Sequence, residues 1–262
     1  MRFCSLASGS SGNCQYIETR EKRVLVDAGL SGVKIERALE SIGVAPESLD
    51  AIFITHEHND HAKGVGVLAR RYHLDVFGNR PTLEAMTSLL KGVEEARIHP
   101  LVPGMTIAYG DLYVHPFPTF HDCRDGVAYL FGSMGKKIAH MTDTGWVSPE
   151  MKNLLRGSDL FYIEANHDEE MLLQGPYSFS LKQRILSNRG HLSNRACAHV
   201  LGEVLGKEGQ HILLAHLSHD NNIPLLAVRT VREFLEERGF SEGVHVHLDV
   251  ASRHEASRIY TL

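Results

Sequence analysis

Ala51-Ile52-Phe53-Ile54-Thr55-His56-Glu57-His58-Asn59-Asp60-His61 joins an apolar run to three histidines and an aspartate packed into six positions. The apolar run reads as a short buried strand, so the polar cluster begins where the strand stops. Three nitrogen donors and one oxygen donor on a tight loop suit a borderline-soft divalent ion such as zinc, with manganese or iron also compatible. Residues two apart on an extended loop can point the same way, so His56 and His58 can share one ion. Asp60 and His61 lie further along and can turn toward a second. One ion would be crowded by all four side chains; two would not. An isolated histidine is usually a core or surface residue, and the chain has 17. Three with an aspartate at this spacing, at a strand end, point to metal instead.

Elsewhere the composition is that of a layered α/β protein. The 262 residues are 43% hydrophobic and 23% charged, enough for one sizeable core in a single domain spanning residues 1–262. No apolar run reaches the ~20 residues that span a membrane. The N-terminus Met1-Arg2-Phe3-Cys4-Ser5 carries no secretory pattern, so a cytoplasmic protein is expected. Cys4, Cys14, Cys123 and Cys197 lack zinc-knuckle spacing and are expected to be reduced. Cys123, two residues from His121, is either a small buried residue or a ligand. The net charge of -5 gives no global case for nucleic-acid binding. The stretch from Met171 to Gly202 nevertheless holds Lys182, Arg184, Arg189 and Arg195 and no acidic residue. It could meet phosphates or form the solvated face of two helices.

Strand-like runs alternate with helical spacing throughout. Strands are expected at Phe3 to Ala7, Cys14 to Glu18, Val24 to Val26, Asp75 to Phe77, Leu112 to Phe117, Val127 to Phe131, Lys137 to Met141, Leu160 to Ile163, His211 to Ala215 and Val244 to Leu248. Helices are expected at Val33 to Ile42, Val65 to Tyr72, Pro81 to Leu90, Leu181 to Asn188, Asn194 to Leu205 and Pro224 to Arg238. Two sheets packed together with helices outside fit that order. If two ions bind, further ligands should also sit at strand ends. His121, Asp143, His167 and His216 all do, and an aspartate such as Asp143 can bridge two cations.

His56-x-His58-x-Asp60-His61, with Val26-Asp27-Ala28-Gly29 before it and His121, Asp143 and His216 after it, resembles the metallo-β-lactamase fold superfamily. The motifs Leu6-Ala7-Ser8-Gly9-Ser10-Ser11-Gly12-Asn13, Glu164-Ala165-Asn166-His167-Asp168, Arg189-Gly190-His191-Leu192-Ser193-Asn194 and His216-Leu217-Ser218-His219-Asp220-Asn221-Asn222 are similar to those of its YycJ (WalJ) family. The resemblance implies a four-layer αββα sandwich and a cytoplasmic metal-dependent DNA exonuclease associated with DNA repair, acting on DNA rather than RNA. Ribonuclease Z is a more distant relative. Carried over, His56, His58 and His121 hold one divalent ion, Asp60, His61 and His216 the other, and Asp143 bridges; Zn²⁺ or Mn²⁺ would serve. Asp27 orients ligands rather than binding metal. His115 and His219 are the alternatives to His121 and His216. The pattern lacks the glutamate that flavodiiron proteins carry where His58 stands. It also lacks the cysteine ligand of many true β-lactamases where Asp143 stands.

Two such cations would activate a bridging water for in-line attack on phosphorus. By its match to the family's Asn-His-Asp motif, the resemblance implies His167 as proton donor to the leaving oxygen, with Glu164 orienting it; Asp60 is the further catalytic candidate. Ser8, Asn13, Asn166, Arg184 and His191 are the candidate substrate contacts, and the Ser8–Asn13 loop could offer backbone N–H groups to phosphate or be a plain glycine turn. A small-molecule hydrolase of the same fold, cleaving a thioester, lactone or cyclic phosphodiester, is the competing reading, favoured by the acidic net charge. The sequence specifies no oligomeric state.

Overall fold

A computed structural model describes residues 1–262. In chain order it begins β1 (Arg2–Ala7), β2 (Cys14–Glu18), β3 (Arg23–Val26), α1 (Gly32–Ser41), β4 (Ala51–Phe53), α2 (Asn59–Ala62), α3 (Val65–Tyr72), β5 (Asp75–Asn79) and α4 (Arg80–Ala85). Next come β6 (Ile98–Leu101), β7 (Ile107–Tyr109), β8 (Leu112–Pro118), β9 (Val127–Ser133), β10 (Lys136–Met141), α5 (Pro149–Leu155) and β11 (Leu160–Glu164). The last third holds α6 (Glu169–Gln174), α7 (Phe179–Leu186), α8 (Asn194–Val204), β12 (Gln210–Ala215), α9 (Pro224–Glu237), β13 (Val246–Val250) and β14 (Tyr260–Thr261). Strand pairing gives two mixed sheets of seven. No helix is long and apolar enough to cross a membrane.

The chain divides into two compact units. The first comprises Met1–Pro118, Cys123–Gly135 and Ser252–Leu262; the second comprises Thr119–Asp122 and Lys136–Ala251. In the first unit one sheet runs β14-β1-β2-β3-β4-β5-β6, antiparallel through β3 and parallel from β3 to β6. Side chains alternate across it with a period of two. Leu25, Ile52 and Val76 pack in one cluster with Ile35 and Leu39 of α1 and Val65 and Leu68 of α3. Phe53 instead stacks on Phe77 at 4.6 Å and meets Tyr109, Tyr129 and Phe131 edge-on at 5.7–6.3 Å. Those last three rings belong to β7 and β9 of the antiparallel β7-β8-β9 ladder, so an aromatic layer joins strand to strand inside this unit.

In the second unit β10, β11, β12 and β13 are parallel neighbours in that order. Leu160 to Glu164 and Ile212 to Ala215 are buried without interruption, as strands covered on both faces require. Parallel strands all end on one side, and there the chain places Asp143, Glu164 and His216.

Most expected elements recur within a residue or two, and the short elements β6, β7, α6 and β14 are not among those expected. The helix expected from Pro81 to Leu90 stops at Ala85, where the Thr87 hydroxyl turns back to the Glu84 carbonyl at 2.7 Å. Helix α5, unforeseen, starts at Ser148-Pro149, with Ser148 accepting from the Met151 N–H and proline at the first helical position. The final paired strand lies at Val246–Val250, two residues later than expected. Ser193 caps α8 by accepting from the Ala196 N–H at 3.1 Å.

Candidate metal centre

In the first unit the donors lie on the loop after β4 and in the short helix α2, whose N-cap is His58. Their anchor is Asp27, fully buried at the end of β3 in the left-handed region at φ 59°. One carboxylate oxygen accepts the Thr55 N–H at 2.8 Å; the other accepts the Thr55 hydroxyl at 2.8 Å and lies 2.7 Å from His61 Nδ1. That bond puts the His61 proton on Nδ1 and leaves Nε2 with its lone pair. Asn13 agrees: its oxygen accepts the Gly9 N–H at 2.8 Å, so its amide nitrogen is what faces His61 Nε2 at 3.0 Å. His56 Nε2 and His58 Nδ1 are 3.1 Å apart. Two nitrogens each ~2.1 Å from one tetrahedral ion would be separated by about 3.4 Å. Asp60 Oδ2 is 3.6 Å from His61 Nε2.

The glycine-rich segment around Ser8 clamps this loop. Asn13 donates its backbone N–H to the Asp60 carbonyl at 2.7 Å, and the Gly29 N–H donates to Asn13 at 2.8 Å. A Cβ on Gly29 would fall 1.7 Å from the Asp60 carbonyl oxygen, so only glycine permits the approach. Ser8 is buried, its N–H donating to the Ser252 carbonyl at 3.1 Å.

In the second unit Glu164 is the centre. Its Oε1 lies 2.8 Å from His191 Nδ1 and 2.9 Å from His216 Nδ1, and its Oε2 accepts the Leu192 N–H at 3.1 Å and the Thr144 N–H at 3.3 Å. Burial opposes the charge of this carboxylate, but attraction and hydrogen bonds from His191 and His216 hold its pKa far below the usual carboxylate range. Burial likewise works against protonating His191, and the Glu164 charge outweighs it, so the pKa is raised. Asp143 Oδ1 stands 3.4 Å from His216 Nδ1, 3.7 Å from His191 Nδ1 and 3.9 Å from His121 Nε2. Donor atoms of Asp143, Glu164, His191 and His216 all lie within 4.8 Å of one another. Burial lowers the pKa of His121, whose Nδ1 sits 3.2 Å from the Gly190 carbonyl. Asp143 and His216, like Asp27, occupy the left-handed region, at φ 55° and 54°. Such conformations outside glycine cost on the order of 1–3 kcal/mol and cluster where side chains must be aimed.

Asn166 fastens the turn that carries His216, donating to its carbonyl at 2.9 Å. Asn222 bonds the Ala165 and Asn166 carbonyls and the Asn194 side chain, a buried network with no short-range signature in the sequence. The role of Thr144 has no such signature either. His167 is buried and neither ring nitrogen has a hydrogen-bond partner; burial pushes its pKa down to about 4. The Glu164 carboxylate therefore hydrogen-bonds His191 and His216, not His167. Arg184 is exposed and ion-paired with Asp122. His115 lies on β8 with Nδ1 2.9 Å from the Thr106 hydroxyl, and His219 is 77% exposed and paired with Asp220, so neither stands among these clusters. The donors suit divalent cations: imidazoles, of which His61, His191 and His216 have Nδ1 held by a carboxylate, plus aspartates, and no thiolate among them.

Comparison with known proteins places the chain in a family. The family model for the beta-lactamase superfamily domain matches residues 22–217. The chain is 43% identical over 243 residues to exodeoxyribonuclease YycJ of Bacillus anthracis, covering 93% of this chain and 92% of that protein. It is 45% identical over 245 residues to exodeoxyribonuclease WalJ of Streptococcus pneumoniae serotype 2, covering 93% and 91%. Among solved structures, the metallo-β-lactamase fold protein YhfI from Bacillus subtilis superposes with a TM-score of 0.72 at 17% identity, covering 98% of each chain. The chain belongs to the YycJ/WalJ family of the metallo-β-lactamase fold superfamily, whose members are metal-dependent hydrolases.

Proposed function

We propose that this protein is a dinuclear metal-dependent 5′-to-3′ DNA exonuclease with a role in DNA repair in the cytoplasm, its residues 1–262 forming one domain. The observation that carries the reading is the near full-length similarity to two exodeoxyribonucleases, 43–45% over 93% of the chain. His56, His58 and His121 would hold one ion, Asp60, His61 and His216 the other, with Asp143 between them and Zn²⁺ or Mn²⁺ as the metal. Bound there, the ions supply an activated water and neutralise charge developing at phosphorus.

The chain's own residues do the rest. Asp27 and Glu164 fix the tautomers of His61 and His216. His191, partly exposed beside Glu164, and Arg184, exposed, meet the phosphate backbone. Asn166 holds the His216 turn, Ser8 and Asn13 line the strand's path, and Asn13 clamps the Asp60 loop. His167 gives the leaving oxygen its proton. Its ring is neutral at pH 7 in the free protein, and the negative charge of an incoming phosphodiester favours the protonated form.

The test compares release of label from 5′-labelled duplex DNA, single-stranded DNA and RNA with turnover of thioesters and lactones, each with Mn²⁺ or Zn²⁺. The reading expects mononucleotides from the 5′ end of DNA. Turnover confined to thioesters or lactones would replace it with a small-molecule hydrolase.

A further inference from the structure

Phe120 and Trp146 stand on the loops that carry His121 and Asp143. Their rings are 4.9 Å apart at 66°, and they remain 36% and 44% exposed. Three bonds hold the pair in place: the Phe120 N–H donates to Thr144 Oγ1 at 3.1 Å, the Gly145 N–H to the Phe120 carbonyl at 2.9 Å, and Thr144 Oγ1 to the Trp146 carbonyl at 2.7 Å. Thr144 is tied in turn to Glu164. Two guanidinium groups border the same loops. Arg189 donates twice to the His121 carbonyl, at 3.0 and 3.3 Å, and exposed Arg184 pairs with Asp122. Gly145 packs so closely on the Arg189 loop that a Cβ there would be 2.3 Å from the Ser187 carbonyl oxygen.

Phe53 and Tyr129, which pack inside the first unit, are fully buried. Here the chain fixes two aromatic faces toward solvent, beside cations, within three residues of candidate metal ligands. Exposed rings interleaved with arginines are how proteins hold unpaired bases and their phosphates together. We propose that Phe120 and Trp146 form a stacking platform for a nucleobase of the strand being hydrolysed, with Arg189 and Arg184 meeting its phosphates. The proposal rests on the nuclease reading and adds a base-contacting site to it. A platform of this kind is indifferent to base identity, since every base has a π-face.

Trp146 is the only tryptophan, so intrinsic fluorescence reports on the platform directly. A phosphorothioate-linked oligothymidylate and an abasic oligonucleotide of equal length are titrated into the native protein, with anisotropy of a labelled strand recorded in parallel. The base-bearing strand should quench Trp146 and the abasic strand should not. Trp146→Leu should weaken oligothymidylate binding about 5- to 100-fold, and Trp146→Phe should restore most of it. Binding seen by anisotropy without quenching, or unchanged affinity in Trp146→Leu, overturns the platform and leaves the nuclease reading standing. Failure of every strand to bind overturns both.

Discussion

Replacing Asp27 with asparagine exchanges one buried oxygen for nitrogen and asks why His61 offers Nε2. The carboxylate satisfies the Thr55 N–H on one oxygen, and the Thr55 hydroxyl and His61 Nδ1 on the other. The amide can do only part of this. With its NH₂ toward His61, two donors face each other unless the ring moves its proton from Nδ1 to Nε2, where a metal would need the lone pair. With its NH₂ toward Thr55, a buried backbone N–H loses its acceptor, at about 1–3 kcal/mol. The first orientation should lower metal affinity ~10–100-fold, or about 1.4–2.7 kcal/mol. The second should lower the melting temperature by roughly 2–4 °C per kcal/mol lost. Competition titration of Zn²⁺ against a chromophoric chelator reads the first effect, and proton–nitrogen correlation of the imidazoles reads the tautomer. Asp27→Asn protein with native metal affinity, native melting and the proton still on Nδ1 would refute the orienting role.

Glu164→Gln leaves one acceptor oxygen where two serve, so either His191 and His216 or the Leu192 and Thr144 N–H groups face an NH₂; kcat/KM and metal affinity should fall ~10–100-fold with the fold retained by circular dichroism, and native values would contradict its role. His167, held at about 4 by burial, gives a pH effect. An unfolded histidine titrates near ~6.5, so between the two values the unfolded chain binds more protons, and the metal-free protein should lose up to about 3 kcal/mol as pH falls through that window. His167→Leu should flatten the loss in denaturant melts at pH 7 and 5, and equal losses in both proteins would exclude this source. Gly145→Ala drives a Cβ against the Ser187 carbonyl oxygen and should destabilise by about 1–3 kcal/mol while reducing DNA binding, read by melting and anisotropy.

Donors at strand ends are legible because a buried strand announces itself by its apolar run, and the chain must turn where that run stops. The run Ile52 to Ile54 and the strand Leu160 to Glu164 both place their polar successors correctly. The partners of those donors are less legible. Glu164 reads in sequence as a neighbour of His167, three residues away. Parallel pairing sets it opposite Ala215, which brings His216 from fifty-two positions away onto its carboxylate, and no local pattern encodes that register. The left-handed conformations of Asp27, Asp143 and His216 are equally hidden, since aspartate and histidine occupy ordinary loops far more often. Helix α5 is a different case: Ser148-Pro149 carries a start signal that a search for apolar periodicity passes over.

The central claim is that two cations, held by this set of histidines and aspartates, make the chain a DNA exonuclease. Its most direct test is a metal titration of chelator-treated protein, following release of 5′-terminal nucleotides from duplex DNA as Mn²⁺ is added. Activity should rise from nothing and saturate at two equivalents per chain, and Asp143→Ala should show none at any metal concentration. Saturation at one equivalent, or cleavage that persists in chelator, would contradict the dinuclear centre.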